Sequence, residues 1–424
     1  MTVFAELRMN APAARSGWDA SRTMRLVLSG AVLFLLLVGA NLATPLYAGL
    51  QAHLGYGSLG TTIAFASYVL ALVGVLVTAG HWSDHVGRRA AMVLAVLIGM
   101  AGSVVFASAG SLAQLCAGRV LAGMAVGLAT GACAAALREL LPQRPEWASR
   151  FTLLASSGGV ALGPVLGGAL ALLPGGPVVP FAVHLAALAA LLVPLVAVRA
   201  RPAPLLPGES CRAAERPSRL LAPRSLRGAV PTGSGRRTFW LAAATGFLSF
   251  ALFGYQLALS PAVFGRALGL SAAAPGSLVA LGALAGLSLA ASAASQLLVP
   301  GTRRRARADA VIGLAVLACS LGALAWGTAV GSASALVAAS AVAGVGQGIA
   351  FRAGFDAVAA SVPAERHARA VSLLYVMTYL GSAVPVLGLG ALAAAMGIGA
   401  AAVLFLGACA VAAGVLAALQ AARR

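Results

Sequence analysis

The chain has 424 residues, of which 60% are hydrophobic and 9% are charged, and its net charge at pH 7 is +19. Soluble domains contain about 25% charged residues, so this composition excludes an ordinary soluble domain and is typical of a membrane protein. The 51 glycines fit that class, because small residues let helices pack closely in lipid.

The amino-terminal residues 1–24 predict a cytoplasmic tail. They contain the acids Glu6 and Asp19 among several arginines. A secretory signal peptide instead has a short apolar core followed by a small-residue cleavage site, and neither pattern occurs in this segment. We therefore expect the first membrane span to begin near residue 25.

Twelve apolar segments follow the tail, each long enough to cross a bilayer as a helix, which takes about 20 residues. Six lie in the first half, at 25–48, 59–79, 90–109, 112–137, 151–173 and 177–198. Six more lie in the second half, at 238–260, 271–299, 308–328, 333–355, 370–394 and 398–421. The sequence therefore predicts an all-α polytopic membrane protein built from two bundles of six helices.

The segment 199–236 separates the two sets of spans and is rich in proline, arginine and serine. This composition is typical of a mobile linker. The predicted domains are therefore an amino-terminal bundle over 25–198, the cytoplasmic linker, and a carboxy-terminal bundle over 237–424.

The arginines are concentrated in the loops on one side of the predicted membrane. They lie in the tail, in the loops after spans two, four, eight and ten, in the linker and at the carboxyl end, whereas Arg266 is the exception on the opposite side. Loops rich in basic residues stay in the cytoplasm, so both termini are predicted to be cytoplasmic in a cell membrane. The net charge of +19 thus reports topology, and we expect no nucleic-acid partner.

An internal repeat relates the two halves of the chain. A shift of 221 residues places Gly80 on Gly301 and Pro164 on Pro385, and the same shift serves spans two to five and eight to eleven. Self-similarity at one fixed shift indicates a duplicated structural unit. Because each half has an even number of spans, the repeat is parallel, which predicts a substrate site near the midplane between the halves.

The loop between spans two and three, "GHWSDHVGRR", gathers charge in a chain that has little of it. Its distinctive residues are Gly80, Asp84, Gly87, Arg88 and Arg89. They resemble the loop signature of the major facilitator superfamily, which implies a gating latch in which the aspartate pairs with an arginine and a helix end. The counterpart loop at 301–310 has Arg305 where an acid would stand, so we expect no matching second latch.

Span four contains Arg119, the only arginine well inside an apolar segment. A charge within a membrane is costly unless it is solvated or paired, which marks it as a functional candidate. Resemblance to the same superfamily implies a role in proton coupling or substrate handling. The alternative is a structural arginine that hydrogen-bonds carbonyls and braces spans one and four.

Span five contains the stretch "SSGGVALGPVLGGAL", in which small residues recur around a proline. The residues that match a family signature are Gly159, Gly163, Pro164, Gly167 and Gly168. They resemble the antiporter signature of exporters in the superfamily, which implies export of drugs or metabolites. The same residues permit a close helix crossing and a kink, so a plain packing motif is the alternative.

Polar and aromatic residues on the inner spans are candidates for lining a central cavity. They are Asn41, Thr44, Tyr47, Tyr68, Tyr255, Gln256, Gln347, Tyr375 and Tyr379. A lightly polar cavity without deep acids suits neutral, anionic or amphipathic substrates better than polycations. Each of these side chains is equally suited to bridging neighbouring helices.

No residue pattern indicates a cofactor, a metal or ATP. The chain has no lysine to complete a phosphate-binding loop, and its five cysteines show no ligand spacing. The available energy source is therefore an ion gradient or the gradient of the substrate itself. The proton is the ion that the resemblance implies, and gated uniport is the alternative.

Titratable residues that a proton could use are scarce. None of the ten acids lies deep in a span. The charges at cytoplasmic span ends include Glu139, Arg352 and Asp356, of which the last two are spaced for a salt bridge on one helix face. His184 inside span six is either a titrating residue or a packing residue.

Together these features predict a monomeric secondary transporter, not an enzyme, that exports drug-like or secondary-metabolite compounds through the bilayer in exchange for protons. An importer or facilitator of sugars or organic acids would have the same fold. A non-transporting membrane scaffold or sensor is an alternative of another class. Arg119 and the latch speak against a scaffold, because a passive protein does not need them.

Overall fold

A computed structural model of the chain describes residues 15–80, 82–198, 200–203, 230–231, 234–270, 276–298, 306–362 and 364–422. Within these ranges a few side chains, including that of Asp84, lie outside the description. Twelve helices in the described part are long and apolar enough to cross a membrane, which confirms the predicted number.

The helices fall into two consecutive sets of six. The first set is α1 (Arg22–Asn41), α2 (Ser58–Ala79), α3 (Arg88–Ala107), α4 (Leu112–Leu140), α5 (Pro145–Leu170) and α6 (Val179–Ala197). The second set is α7 (Ser234–Ala258), α8 (Ser277–Leu298), α9 (Ala306–Val330), α10 (Ala333–Ser361), α11 (Ala364–Met396) and α12 (Ile398–Ala421). Shorter helical segments connect some of them, at Thr44–Leu46, Tyr47–Leu54, Ser83–Val86, Gly176–Val178 and Ser260–Ala267.

The first helix of each bundle is interrupted near its end. The sequence predicts one span over 25–48, but α1 stops before Pro45, which opens a turn that leads into the short helix Tyr47–Leu54. Proline has no amide hydrogen and cannot continue the helical hydrogen bonding. In the second bundle Pro261 likewise opens the short helix Ser260–Ala267 after α7.

A small antiparallel sheet lies outside the helices. Arg15–Trp18 (β1) pairs with Ala200–Ala203 (β2), with Arg15 opposite Ala203. The sequence predicts a mobile linker over 199–236, whereas the structure forms β2 at its start and begins α7 before its end. The central part of that segment, 204–229, lies outside the described residues, so its mobility stays a prediction.

The internal repeat is visible in the helix packing. Gly123 of α4 lies against the backbone carbonyl of Tyr68 in α2, and Gly344 of α10 lies against the carbonyl of Ser288 in α8. A Cβ atom at either glycine would overlap the carbonyl oxygen, so both crossings need a residue without a side chain. The two halves therefore share helix crossings as well as sequence.

Because successive helices alternate in direction, most described arginines collect at one end of the molecule, the arginine-rich face. They are Arg22, Arg25, Arg88, Arg89, Arg138, Arg144, Arg150, Arg236, Arg237, Arg307, Arg352 and Arg369. The opposite end, where Arg266 lies, is the arginine-poor face. The prediction that the arginine-rich face is cytoplasmic follows from the rule on basic loops.

The two bundles meet along two helix pairs. Helix α5 packs against α8, and α2 packs against α11. Within the bundles, α1 lies against α4 and α5, while α7 lies against α10 and α11. In α7, 78% of an apolar stretch of 18 residues is buried, a larger share than in any other described span. Helix α7 is therefore an inner helix.

Candidate functional site

The small-residue motif of α5 contacts two helices at once. Gly159, Gly163 and Gly167 recur every four residues and therefore share one side of the helix, where the first two lie against the backbone of α1 and Gly167 lies against that of Leu42, just after α1. On another side, Gly168 lies against the backbone of Leu278 in α8. The motif thus places α5 between its own bundle and the opposite bundle.

The contact between α5 and α8 is a glycine seam, formed by Gly168, Gly282 and Gly286. Gly282 lies against the carbonyl of Pro164, and Gly286 lies one turn further along α8 against the next turn of α5. Side chains at these positions would overlap the backbone of α5, so the close approach of the bundles depends on glycine.

A second contact between the bundles lies at the same end of the molecule. Gly390, near the end of α11, lies against the side chain of Thr62, near the start of α2. The short helices Tyr47–Leu54 and Ser260–Ala267 also touch there. The glycine seam and these contacts together close the arginine-poor face.

Arg88 forms an ion pair at the loop between α2 and α3. Its Nη2 and Nε atoms donate to Oε1 of Glu139 at 2.8 and 3.1 Å, and its Nη1 donates to Oγ of Ser83 at 2.6 Å. Glu139 ends α4, so the pair ties α3 to α4. The side chain of Asp84 lies outside the described residues, and its place in the latch stays a prediction.

The other residues of this loop have structural partners. Arg89 is 2% exposed, and its Nη1 donates to the carbonyl of Leu195 in α6 at 3.4 Å. Gly87 has a φ of 95° at the entry to α3, a conformation that favours glycine. The carbonyl of Gly80 lies against Gly131 of α4. Gly87 therefore serves a turn and Gly80 a close approach between helices, and their part in a gating latch stays a prediction.

The corresponding region of the second bundle is held differently. Residues 301–305, including Arg305, lie outside the described part of the chain. Arg352 in α10 donates from Nη1 to the carbonyl of Gln296 at the end of α8, at 3.2 Å. Arg352 is also close enough to Asp356 for electrostatic attraction, in agreement with their predicted spacing.

Arg119 is buried in the amino-terminal bundle, with 3% of its surface exposed. Its Nη1 donates to the carbonyl of Ala40 in α1, and its Cζ lies 4.4 Å from the ring centroid of Tyr68 in α2. A desolvated contact of this kind contributes about 2 kcal/mol. The guanidinium therefore joins α1, α2 and α4, which is the bracing arrangement, and its coupling role stays a prediction.

A pocket inside the amino-terminal bundle connects Arg119 with His184. It is small, with a volume of about 20 Å³, room for about one water molecule, and is lined by residues of α1, α3, α4 and α6. Ser103 of α3 also lines it. The Nε atom of Arg119 has no hydrogen-bond partner among the described residues, so the guanidinium can bind another group there, such as water.

His184 is 6% exposed and is hydrogen-bonded through both ring nitrogens. Nε2 lies 3.0 Å from the carbonyl of Leu35 in α1, and Nδ1 lies 2.8 Å from Oγ of Ser103. The Ser103 hydroxyl donates its single hydrogen to the carbonyl of Gly99 at 3.0 Å. That hydroxyl can equally rotate and donate to Nδ1, in which case a neutral ring with its proton on Nε2 fills both contacts, so the geometry fits the neutral ring as well as the imidazolium.

Most of the predicted cavity residues are enclosed in this conformation. Those with 5% exposure or less are Asn41, Thr44, Tyr47, Tyr68, Tyr255, Gln256 and Gln347. Tyr379 is partly exposed, and Tyr375 is 40% exposed. Burial between helices is the arrangement expected of bridging residues, and the role of all nine in a cavity stays a prediction.

Two of the enclosed residues are glutamines with unpaired amides. Gln256 is fully buried, and neither its Nε2 nor its Oε1 has a hydrogen-bond partner in the described part of the chain; Oε1 of Gln347 also lacks one. A buried polar group left unpaired costs about 1–3 kcal/mol. Such groups indicate a place where water or a ligand completes the hydrogen bonds.

Helices α7, α10 and α11 carry a connected aromatic cluster, the aromatic surface. It consists of Phe250, Phe253, Phe351, Phe355, Tyr375 and Tyr379, with neighbouring ring centroids 4.5–6.4 Å apart. Only its tyrosines are predicted from the sequence, because an isolated phenylalanine is ordinary in a membrane span. The spacing of Phe247, Phe250 and Phe253 is the signal in the sequence that points to the others.

Comparison with known sequences identifies the family. A family model described as the Major Facilitator Superfamily matches residues 30–384. A Klebsiella pneumoniae protein named as a candidate multidrug resistance protein, MdtD, is 31% identical over 131 residues, or 31% of this chain. The chain spans only 27% of the length of that relative.

Solved structures share the fold over nearly the whole chain. A bacterial homologue of the human lysosomal transporter Spinster, inward-facing and occupied, has a TM-score of 0.71 at 15% identity and covers 95% of each chain. The peptide transporter POT has a TM-score of 0.72 at 16% identity, with 98% of this chain and 97% of that one covered. These similarities confirm the predicted fold of two six-helix bundles. The chain is a multi-pass membrane transporter of the major facilitator superfamily.

Proposed function

We propose that this transporter exports amphipathic molecules of the drug or secondary-metabolite type from the cytoplasm in exchange for protons, by alternating access. The observation that carries the proposal is the glycine seam between α5 and α8. When contacts between glycine and backbone separate, no polar side chain loses a hydrogen-bond partner and no ion pair is broken. Such a seam suits a gate that opens and closes in every transport cycle.

The orientation of the gate follows from the arginines. Basic loops favour the cytoplasmic side, so the closed arginine-poor face is the extracellular side. The conformation described above then takes up substrate from the cytoplasm. The accessible Tyr375 on α11 fits this assignment, because it lies in a span that packs against the other bundle.

The direction of transport is supported by the α5 motif and by one relative. The motif that resembles the antiporter signature lies at the gate and touches both bundles. The segment of 131 residues that is similar to MdtD adds the name of a multidrug resistance protein. Export of drug-like compounds is the activity that both features favour.

Proton exchange is assigned to the pocket between Arg119 and His184. Among the described residues, the buried side chains of arginine, histidine, aspartate or glutamate are Arg89, Arg119 and His184. Of these types only histidine changes charge near neutral pH without a large perturbation. His184 is therefore the proposed proton site, with Arg119 as the fixed positive charge beside it.

Helix α1 connects this pocket to the gate. On one side its carbonyls at Leu35 and Ala40 accept hydrogen bonds from His184 and Arg119. On the other side it lies against Gly159 and Gly163 of α5. A proton on His184 adds a second positive charge beside Arg119, and the resulting repulsion favours a shift of α1 that loosens α5 from α8.

Everted membrane vesicles with an imposed pH gradient test the proposal. We expect a fluorescent planar dye to accumulate in vesicles that contain the protein when their interior is acidic, and the accumulation to collapse with a protonophore. Vesicles that contain Gly282→Val provide the inactive comparison. Flux of equal size with and without the gradient would establish a facilitator, and depletion of the dye from everted vesicles would establish an importer.

A further inference from the structure

We propose that the aromatic surface and the two unpaired glutamines, Gln256 and Gln347, form one binding site on the carboxy-terminal bundle. It takes planar polycyclic aromatic compounds that carry carbonyl or hydroxyl groups along one edge. This inference rests on the proposed function and names its substrate class.

The open side of α7 is aromatic. Between residues 241 and 258 the only partly exposed positions are Ala244, Phe247, Phe250 and Phe253. Helix α7 is surrounded by α8, α10, α11 and α12 of its own bundle and also touches α2. A helix enclosed by five others has no side left for lipid, so this exposed stripe faces the space between the bundles.

The rings form a continuous surface across three helices. Phe250 stacks on Phe253 with centroids 5.0 Å apart and an interplanar angle of 17°, and it meets Tyr379 edge-on at 5.3 Å. Phe351 of α10 lies 5.6 Å from Phe250. The surface therefore offers both ring faces and ring edges, which are the two geometries that aromatic ligands prefer.

The surface extends towards the arginine-rich face. Phe351 contacts Phe355 at 4.5 Å, and Phe355 contacts Tyr375 at 4.8 Å. At 1.5 Å of rise per residue, Phe355 lies about 9 Å from the end of α10 and Phe253 lies about 8 Å from the opposite end of α7. A planar compound entering from the cytoplasm meets rings over most of the depth of the membrane.

The deep end of the surface is polar. Gln256 follows Phe253 by three residues in α7, and Gln347 precedes Phe351 by four residues in α10. These spacings put each glutamine on the same side of its helix as the phenylalanine, and in both helices on the arginine-poor side of it. Their unpaired amide atoms are both donors and acceptors, which complements carbonyl and hydroxyl groups at the leading edge of a ligand.

The charges around the site do not select cations. The acids with described side chains lie at or near helix ends or outside the spans: Asp19, Glu139, Glu146, Asp309 and Asp356. Across the interface, Tyr68 lies within electrostatic range of Tyr379 and covers Arg119. The charge behind the opposite wall is the buried guanidinium of Arg119, and the described acids lie away from it, so neutral or anionic compounds are the expected ligands.

Binding to the purified full chain in lipid nanodiscs, with empty nanodiscs subtracted, tests the site. The probes are 1,8-dihydroxyanthraquinone, which has the polar edge, and anthracene, which lacks it. We expect Phe250→Leu and Phe351→Leu to weaken the binding of both probes about tenfold, the scale of one lost ring contact. We expect Gln256→Leu to weaken only the anthraquinone, about fivefold, since one hydrogen bond is lost.

Phe405→Leu is the matched control, because its ring contacts Tyr255 at 5.9 Å on the enclosed side of the same bundle. We expect this variant to bind both probes like the wild type. Unchanged binding by both Phe250→Leu and Phe351→Leu, equal losses in Phe405→Leu, or no saturable binding would overturn the site. The assay contains no gradient, so a failure of proton-driven transport would leave this result standing and would contradict only the proposed function.

Discussion

The two bundles share their helix crossings but differ in what they bury. In the described part of the chain, the amino-terminal bundle buries Arg89, Arg119 and His184, whereas the buried polar side chains of the carboxy-terminal bundle are all uncharged. The carboxy-terminal bundle carries the aromatic surface instead. This difference is the basis of the division of labour that we propose, in which one bundle holds charge for coupling and the other holds the substrate.

The repeat shows where the two bundles diverged. Arg119 corresponds to Ser340 under the shift of 221 residues. Ser340 is fully buried, and its hydroxyl has no hydrogen-bond partner among the described residues. The same crossing of helices thus carries a cation in one bundle and a small neutral residue in the other.

The largest effect is expected at the glycine seam. Gly282→Val places a branched side chain against the carbonyl of Pro164 and should abolish transport. Gly322→Val in α9 is the matched control, because a Cβ there meets no atom within 4 Å, and it should retain most of the activity. Equal transport rates for the two variants in vesicles would show that the seam is not the gate.

The second largest effect is expected at Arg119, and it is compared with a change at Ser340, the position that corresponds to Arg119 in the repeat. Arg119→Ala removes a cation–π contact and a charge-assisted hydrogen bond that join α1, α2 and α4. It also removes the fixed charge beside the proposed proton site, so we expect gradient-driven transport to be lost. Ser340→Ala should change it less than about twofold. If both variants lose activity equally, the asymmetry between the bundles has no functional meaning.

A smaller effect on transport is expected at the two corresponding loops, the one after α2 and the one after α8. Asp84→Asn should lower transport several-fold, and Arg305→Gln should leave it within about twofold, since only the first loop keeps the acid of the latch. Initial rates of dye accumulation in everted vesicles measure both. A stronger loss in Arg305→Gln would place the latch in the second half of the chain.

The smallest effect is expected at the ion pair between Arg88 and Glu139, at the loop between α2 and α3. The side chains of Arg88 and Glu139 are 16% and 54% exposed, and exposed ion pairs contribute about 0–1 kcal/mol. Glu139→Gln should therefore shift the unfolding temperature by only a few degrees and leave transport near the wild-type rate. A loss comparable to that of Asp84→Asn would show that Glu139 is as important to the latch as Asp84.

The sequence predicts the fold well because the main signals are local. Span length and hydropathy determine the twelve helices, and repeated glycines and prolines reveal the duplication. The break in α1 is missed although Pro45 is visible in the sequence, because membrane helices often tolerate proline. The structure shows a turn there that leads into Tyr47–Leu54.

The candidate site is predicted less completely because it depends on distant segments. Arg119 stands out alone, but its partners Ala40 and Tyr68 become evident only when three helices are packed. The aromatic surface joins Phe250 to Phe351, residues about a hundred positions apart. No local pattern encodes such a contact, so the sequence indicates individual candidates and the fold assembles them.

The division of labour is tested most directly by measuring probe affinity and pH-driven flux in the same two variants. For Arg119→Ala we expect a Kd for 1,8-dihydroxyanthraquinone within about twofold of the wild type together with lost gradient-driven flux. For Phe250→Leu we expect a Kd for the same probe raised about tenfold and a gradient-driven flux that recovers at saturating probe concentration. Parallel loss of affinity and driven flux in both variants would contradict the division of labour.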